Sequence, residues 1–182
     1  MSYSIDVPVR RYATARRPSR ADMAVVGAFM AIYIASSYFG AAGPDTTRDV
    51  AAALAIRDLG ALPLHGPLLA GTAHLGPLWF YLLSLPMLLA RSWVGVAVFV
   101  AVIGSLQFPL AYAAGRRLID RRFGILWCAL LTLPGWGSFQ LVGFSHTNMV
   151  PTCSMLALYA LVRLAQQRRP RWLVVSALAF SL

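Results

Sequence analysis

Apolar residues fall in five blocks, Met23 to Ala42, Pro77 to Ala90, Val94 to Gly115, Phe123 to Val142 and Met149 to Ala165, and a sixth opens at Trp172 and runs to Leu182. Most approach the roughly 20 residues that a helix needs to cross a hydrocarbon core about 30 Å thick. The pattern therefore predicts an all-α, polytopic membrane protein. Two blocks break the rule. Pro77 to Ala90 is about fourteen residues, bracketed by Pro77 and Pro86, a length typical of interfacial or re-entrant segments. The last, about eleven residues, is too short to span and has no polar cap, so the reading expects the front part of a longer design, with spans near 23–42, 94–115, 123–142, 149–165 and an incomplete 172–182.

Arginines decide the predicted topology. If 77–90 lies at the interface, the basic leader 1–20 is cytoplasmic and Arg10, Arg11, Arg16, Arg17, Arg20, Arg116, Arg117, Arg121, Arg122, Arg163, Arg168, Arg169 and Arg171 all fall inside; Arg48, Arg57 and Arg91 remain outside, a split of 13 to 3. If 77–90 crosses, the split becomes six inside and ten outside. The positive-inside rule selects the first arrangement. Residues 43–92 then form one long outer loop, and 143–148 a short second one. The leader and first block read as an uncleaved signal anchor, since the run approaches spanning length and Ala41, Ala42 and Gly43 make a weak cleavage site.

Composition agrees with a bilayer as the main solvent: 59% hydrophobic, 12% charged, mean hydropathy +0.66 over 182 residues. The net charge of +10 comes from sixteen Arg against six Asp, with neither Lys nor Glu. In a soluble protein it would suggest nucleic acid, but here the arginines flank apolar blocks and no base-stacking aromatics interleave with them, so nucleic acid is set aside. Cys128 and Cys153 lie inside apolar blocks, where a thiol behaves as a small hydrophobe.

Candidate chemistry gathers in the two outer loops. In the first, Thr46 and Thr47 are suited to cap a short helix ending at Gly60, with Val50, Ala53, Leu54 and Arg57 at helical spacing. Asp45 and Asp49 are four apart, on one face of its start, with Arg48 between them. Two readings stand: a cap and solvating ion pair favoured by the helix dipole, or a carboxylate serving as general base or metal ligand at the outer leaflet. All three histidines, His65, His74 and His146, fall on the outer side, but their spacing matches no metal motif. No Ser-His-Asp pattern, phosphate-cradling loop or CxxC supports a soluble hydrolase or nucleotide-binding reading.

The order Gly-Pro-Asp45-x-x-Arg48-Asp49, Leu-Pro-Leu-x-Gly-Pro and His74-Leu-Gly-Pro77-Leu-Trp-Phe-Tyr81 resembles bacterial glycosyltransferase family 39 membrane proteins, a group similar to protein O-mannosyltransferases and aminoarabinose transferases. Gly115-Arg-Arg-Leu118 is similar to that family's Gly-Arg-Arg-Leu-Phe-Gly-Arg turn, and Ser145-His-Thr-Asn148-Met-Val-Pro151 sits where members show Trp-Asn-Pro-Asn-Leu-Leu-Pro, so the likeness runs from about residue 20 to the end. It implies a C-type glycosyltransferase bundle that transfers a sugar from a polyprenyl-phosphate donor to an unidentified acceptor outside the cytoplasm, in a bacterial inner membrane. Carried over, Asp45 takes the place of the loop acid that deprotonates or orients the acceptor, Arg48, Asp49, Arg57 and His74 are substrate-binding, and His146 and Asn148 complete the site from the second loop. His74, Arg48 or Arg57 would meet charge building on the leaving lipid phosphate. Asp45-Thr46 replaces the Asp-Glu pair of many relatives, and the second loop lacks the acid that some carry, which leaves a divalent metal open. The competing expectations are a non-catalytic remnant or accessory subunit, and a transporter fragment, the latter disfavoured because no span holds an ionisable group deep inside.

Overall fold

The computed structural model describes residues 17–38, 44–69, 73–74, 76–89, 93–133 and 146–181. Among these the chain is almost wholly helical: α1 (Arg20–Tyr38), α2 (Pro44–Leu59), α3 (Leu78–Leu89), α4 (Trp93–Ser105), α5 (Gln107–Leu118), α6 (Arg121–Thr132), a 3₁₀ turn (His146–Met149), α7 (Val150–Gln167) and α8 (Arg171–Ser181). The segment between α2 and α3 adds an element that the hydrophobic pattern did not announce, an antiparallel ribbon of β1 (Leu68–Leu69) and β2 (Ala73–His74). The expected cleavage site 41–43, most of the leader, Arg91, Ser145 and the second half of the fourth block lie outside the described residues.

Two helices are long and apolar enough to cross a membrane, Val94–Leu118 with 25 residues and Thr147–Gln167 with 21. The first is α4 and α5 in line. It breaks at Leu106 because Pro109 has no N–H to offer Ser105 and its ring crowds that carbonyl. Ser105 turns its hydroxyl onto Val102 O at 2.7 Å. α1 starts at Arg20, three residues ahead of the apolar block, behind a reciprocal cap in which Ser19 N donates to Asp22 Oδ2 and Asp22 N to Ser19 Oγ, both at 3.1 Å. α3, at twelve residues, rises about 18 Å, well short of a hydrocarbon core.

α5 and α6 fold back on each other through glycine. A Cβ on Gly115 would lie 2.9 Å from Gly124 Cα, and one on Gly124 2.7 Å from Tyr112 O. Close backbone approach at small residues is how helices associate where lipid offers no hydrophobic incentive. The Gly115-Arg-Arg-Leu118 turn therefore has a packing reason. Around this crossing Val26, Phe108, Ala111, Tyr112 and Cys128 are buried together, with Phe29 stacked on Phe108 at 6.0 Å and Tyr33 edge-on at 5.8 Å. Cys128 is fully buried and donates to Phe108 O at 3.3 Å, as a small hydrophobe with a weak donor would.

The bundle has two chemically different ends. At one, the buried carboxylate of Asp22 accepts from Tyr112 Oη at 2.8 Å and from Arg121 Nε, joining α1 to α5 and α6. Gln166 at the end of α7 exchanges hydrogen bonds with Arg117, 3.3 Å from Nη1 and 3.2 Å to its carbonyl. The described arginines of the leader, the 116–122 turn and the start of α8 thus belong to one end. At the other, α2 and α3 pack against the start of α4 and the 3₁₀ turn. Gly124→Val should drive two backbones apart at the α5–α6 crossing and cost about 1–3 kcal/mol. The check is thermal unfolding in detergent, and an unchanged midpoint would refute the close crossing.

Candidate functional site

The loop helix α2 begins at Pro44, two residues earlier than Thr46 or Thr47 could cap it. Proline suits the first helical position, and Asp45 falls inside the first turn, where the dipole favours an acid. Thr46 is consequently buried in the helix rather than standing ahead of it. The other boundary is as the sequence indicates: Gly60 adopts φ +63°, the left-handed conformation that ends a helix. The helix lies along α3, and Ala53 is buried with Trp79, Phe80, Leu83, Met87, Val96 and Val100. That cluster is the floor of this end of the bundle.

Spacing placed Asp45 and Asp49 on one face, but the fold gives them different environments. Asp49 is fully buried, accepting from Trp79 Nε1 at 2.7 Å and from Arg48 Nε and Nη2 at 2.9 and 2.8 Å. Three donors, two of them cationic, offset the desolvation of its carboxylate and clamp α2 to α3. Asp45 keeps 58% of its side chain exposed and pairs with Arg48 Nη1 at 2.9 Å. Arg48 thus links a locked carboxylate to an accessible one. Arg57 is spent within the scaffold: Nε and Nη2 reach Asp58 at 2.6 Å each, and Nη1 lies 3.4 Å from Met87 O.

The ribbon pairs Leu68 with His74, and His74 donates from Nδ1 to Gly66 O at 3.1 Å, since a carbonyl can only accept. Its ring is exposed and its Nε2 is the nitrogen left for chemistry. His65 stands beside it, ring centroids 5.3 Å apart. Tyr81 of α3 donates to Pro63 O at 3.1 Å, holding this loop onto the same scaffold. From the second loop, the turn His146–Met149 packs against α4, Asn148 is buried, and Met149 joins the cluster that holds Ala53 and Trp79. Both loops therefore meet at one apolar floor. Among the described residues no three His, Cys, Asp or Glu side chains converge to hold a metal.

The sequence shows Trp79 only as an interfacial aromatic. Its indole donor matters because a buried acid sits thirty positions earlier, a distance that no local pattern reports.

Taken together, the fold defines a helical membrane protein with polar loops gathered over one end. The chain belongs to the dolichyl-phosphate-mannose-protein mannosyltransferase family, whose model matches residues 74–182, more than half of its length. The matched stretch opens at His74 and includes His146 and Asn148, whereas Asp45, Arg48, Asp49 and Arg57 precede it. The likeness read from about residue 20 is thus supported from His74 onward. No curated protein and no solved structure matches the chain.

Asp49→Ala should remove the acceptor that Trp79 Nε1 and Arg48 share and lower stability by about 1.5–3 kcal/mol, and Trp79→Phe, which takes one donor from the buried carboxylate and leaves Arg48 on it, should cost about 0.5–1.5 kcal/mol. The two losses should not add, because the residues share one interaction. Unfolding midpoints of both single variants and the double variant check this.

Proposed function

We propose that this protein is a membrane glycosyltransferase that moves a sugar from a polyprenyl-phosphate donor to an acceptor at the extracytoplasmic face, with Asp45 as the acid of the site. The reading rests on family membership and on one structural observation: of the two carboxylates at the start of the loop helix, Asp49 is buried and Asp45 exposed, and Arg48 tethers Asp45 beside the floor where both loops meet, while the exposed Asp58 at the far end of the helix is engaged by Arg57.

The chemistry is a substitution at the anomeric carbon. An acceptor hydroxyl or amine hands its proton to Asp45 as its heteroatom bonds to that carbon, the bond from carbon to phosphate oxygen breaks, and the electron pair leaves on the lipid phosphate. Cationic donors lower the barrier where that charge builds. His74 suits the task from Nε2, because Nδ1 is engaged with Gly66 O; donating to a phosphate oxygen from Nε2 requires the protonated ring. Arg48 orients Asp45, and Arg57, bound to Asp58, is a weaker candidate for direct contact. His146 and Asn148 bound the site from the second loop. A divalent metal would have to draw ligands from the substrate or from residues beyond those described.

The same reading orients the bundle in a bacterial inner membrane. The arginine end faces the cytoplasm, following the positive-inside rule, α1 leads outward, and α2, the ribbon and α3 stay outside with α3 at the interface. Its twelve residues and its packing on the polar helix α2 support that placement.

Asp45→Asn and Asp45→Ala in the full-length protein should both abolish transfer, by at least about a hundredfold, with membrane expression intact; full activity in both would refute the assignment. For the orientation, a reporter fused after Arg122 should read cytoplasmic and one fused after His146 extracytoplasmic. The reverse pattern would overturn the topology and the site together.

A further inference from the structure

The arginine end holds a pocket that the proposed chemistry does not use. It encloses about 350 Å³ between the start of α1 and α5, lined by Arg17, Arg116 and Arg117 together with Met23, Val26 and Pro109. Its polarity is graded along the helices. On α5 the lining passes from Arg116 through Ala113 and Tyr112 to Pro109, two helical turns, or about 10 Å, from cation to hydrocarbon. The chain entering α1 repeats the gradient from Arg17, ahead of the helix, through Met23 to Val26.

Among the described residues, no carboxylate neutralises the charge of the three arginines. The ion pairs among the described residues engage Arg48, Arg57 and Arg121. Arg116 lies over the Tyr112 ring at 6.0 Å, and Arg117 near the Tyr159 ring at 5.9 Å with Gln166, all uncharged partners. The described carboxylates of this end are committed elsewhere. Asp22 accepts from Tyr112, Arg121 and its own cap, and Asp120 accepts from Phe123 N at 2.8 Å to start α6. Of the apolar lining, Met23 is 56% exposed, and Val25 and Ile32 continue an exposed apolar surface along α1. A ligand whose anionic head sits at the arginines therefore finds hydrocarbon below it and a path outward into the bilayer.

We infer that this pocket binds an anionic glycerophospholipid of the adjacent leaflet, its phosphate among Arg17, Arg116 and Arg117 and its acyl chains descending past Met23, Val26 and Pro109. A free phosphate would use the cations but not the apolar depth. A zwitterionic lipid would bring its own cation and forfeit part of the attraction. The inference rests on the membrane fold alone and stands whichever sugar or acceptor the outer end serves.

The experiment is native mass spectrometry of the full-length protein released from nanodiscs of equal phosphatidylglycerol and phosphatidylcholine. The unaltered protein should retain phosphatidylglycerol preferentially. R17Q/R116Q/R117Q should lose at least about tenfold of that preference, whereas R168Q/R169Q/R171Q, with the same charge change at the same end, should keep it. Ala113→Trp, which fills the pocket without altering charge, should also lose it, with thermal unfolding verifying that each variant folds. No preference in the unaltered protein, equal loss in the two triple variants, or displacement of the lipid by excess inorganic phosphate would each overturn the proposal.

Discussion

The carboxylate of Asp22 is the tie on which the bundle's arrangement depends. It sits buried at the start of α1 and is met by the Tyr112 hydroxyl from α5, the Arg121 guanidinium from α6 and the Ser19 backbone N–H. A bare carboxylate at that depth would be strongly unfavourable; with three donors it becomes a junction that fixes where three helices stand relative to one another. Nonpolar packing alone would do this poorly, because between helices in lipid it selects closeness rather than register. The glycine crossing of α5 and α6 supplies the closeness, and Asp22 supplies the register.

The opposite end uses the same device for another purpose. Asp49 locks α2 to α3 through Trp79 and Arg48, and the guanidinium that completes this lock also holds Asp45 at the surface. A buried acid thereby positions an exposed one. Placing α2, α3 and the 3₁₀ turn on a common apolar floor brings loops separated by some seventy residues to one place, as a transferase needs if donor and acceptor are to meet there. The two ends share α4, α5 and α7 and differ in charge, so the proposed division of labour, lipid binding at one and chemistry at the other, has its basis in where the arginines and aspartates fall.

Much was determined by sequence alone. The lengths and apolarity of the blocks dictate helices, because lipid leaves backbone groups no partners but each other, and the arginine clusters dictate which helix ends lie together. Gly60 marks the end of α2 because its φ of +63° is a conformation that other residues adopt at a cost. These are local constraints, satisfied within a few residues of where they are written. Only the tertiary structure decided the rest. It distinguished Asp45 from Asp49, which look equivalent at four-residue spacing, because burial depends on what α3 places opposite. It committed Arg57 to Asp58, set the start of α2 at Pro44, brought Trp79 to Asp49, and gathered Arg17, Arg116 and Arg117 around one pocket. Each of these joins residues distant in the chain or turns on which face of a helix is covered, and a one-dimensional pattern carries neither the partner nor the face.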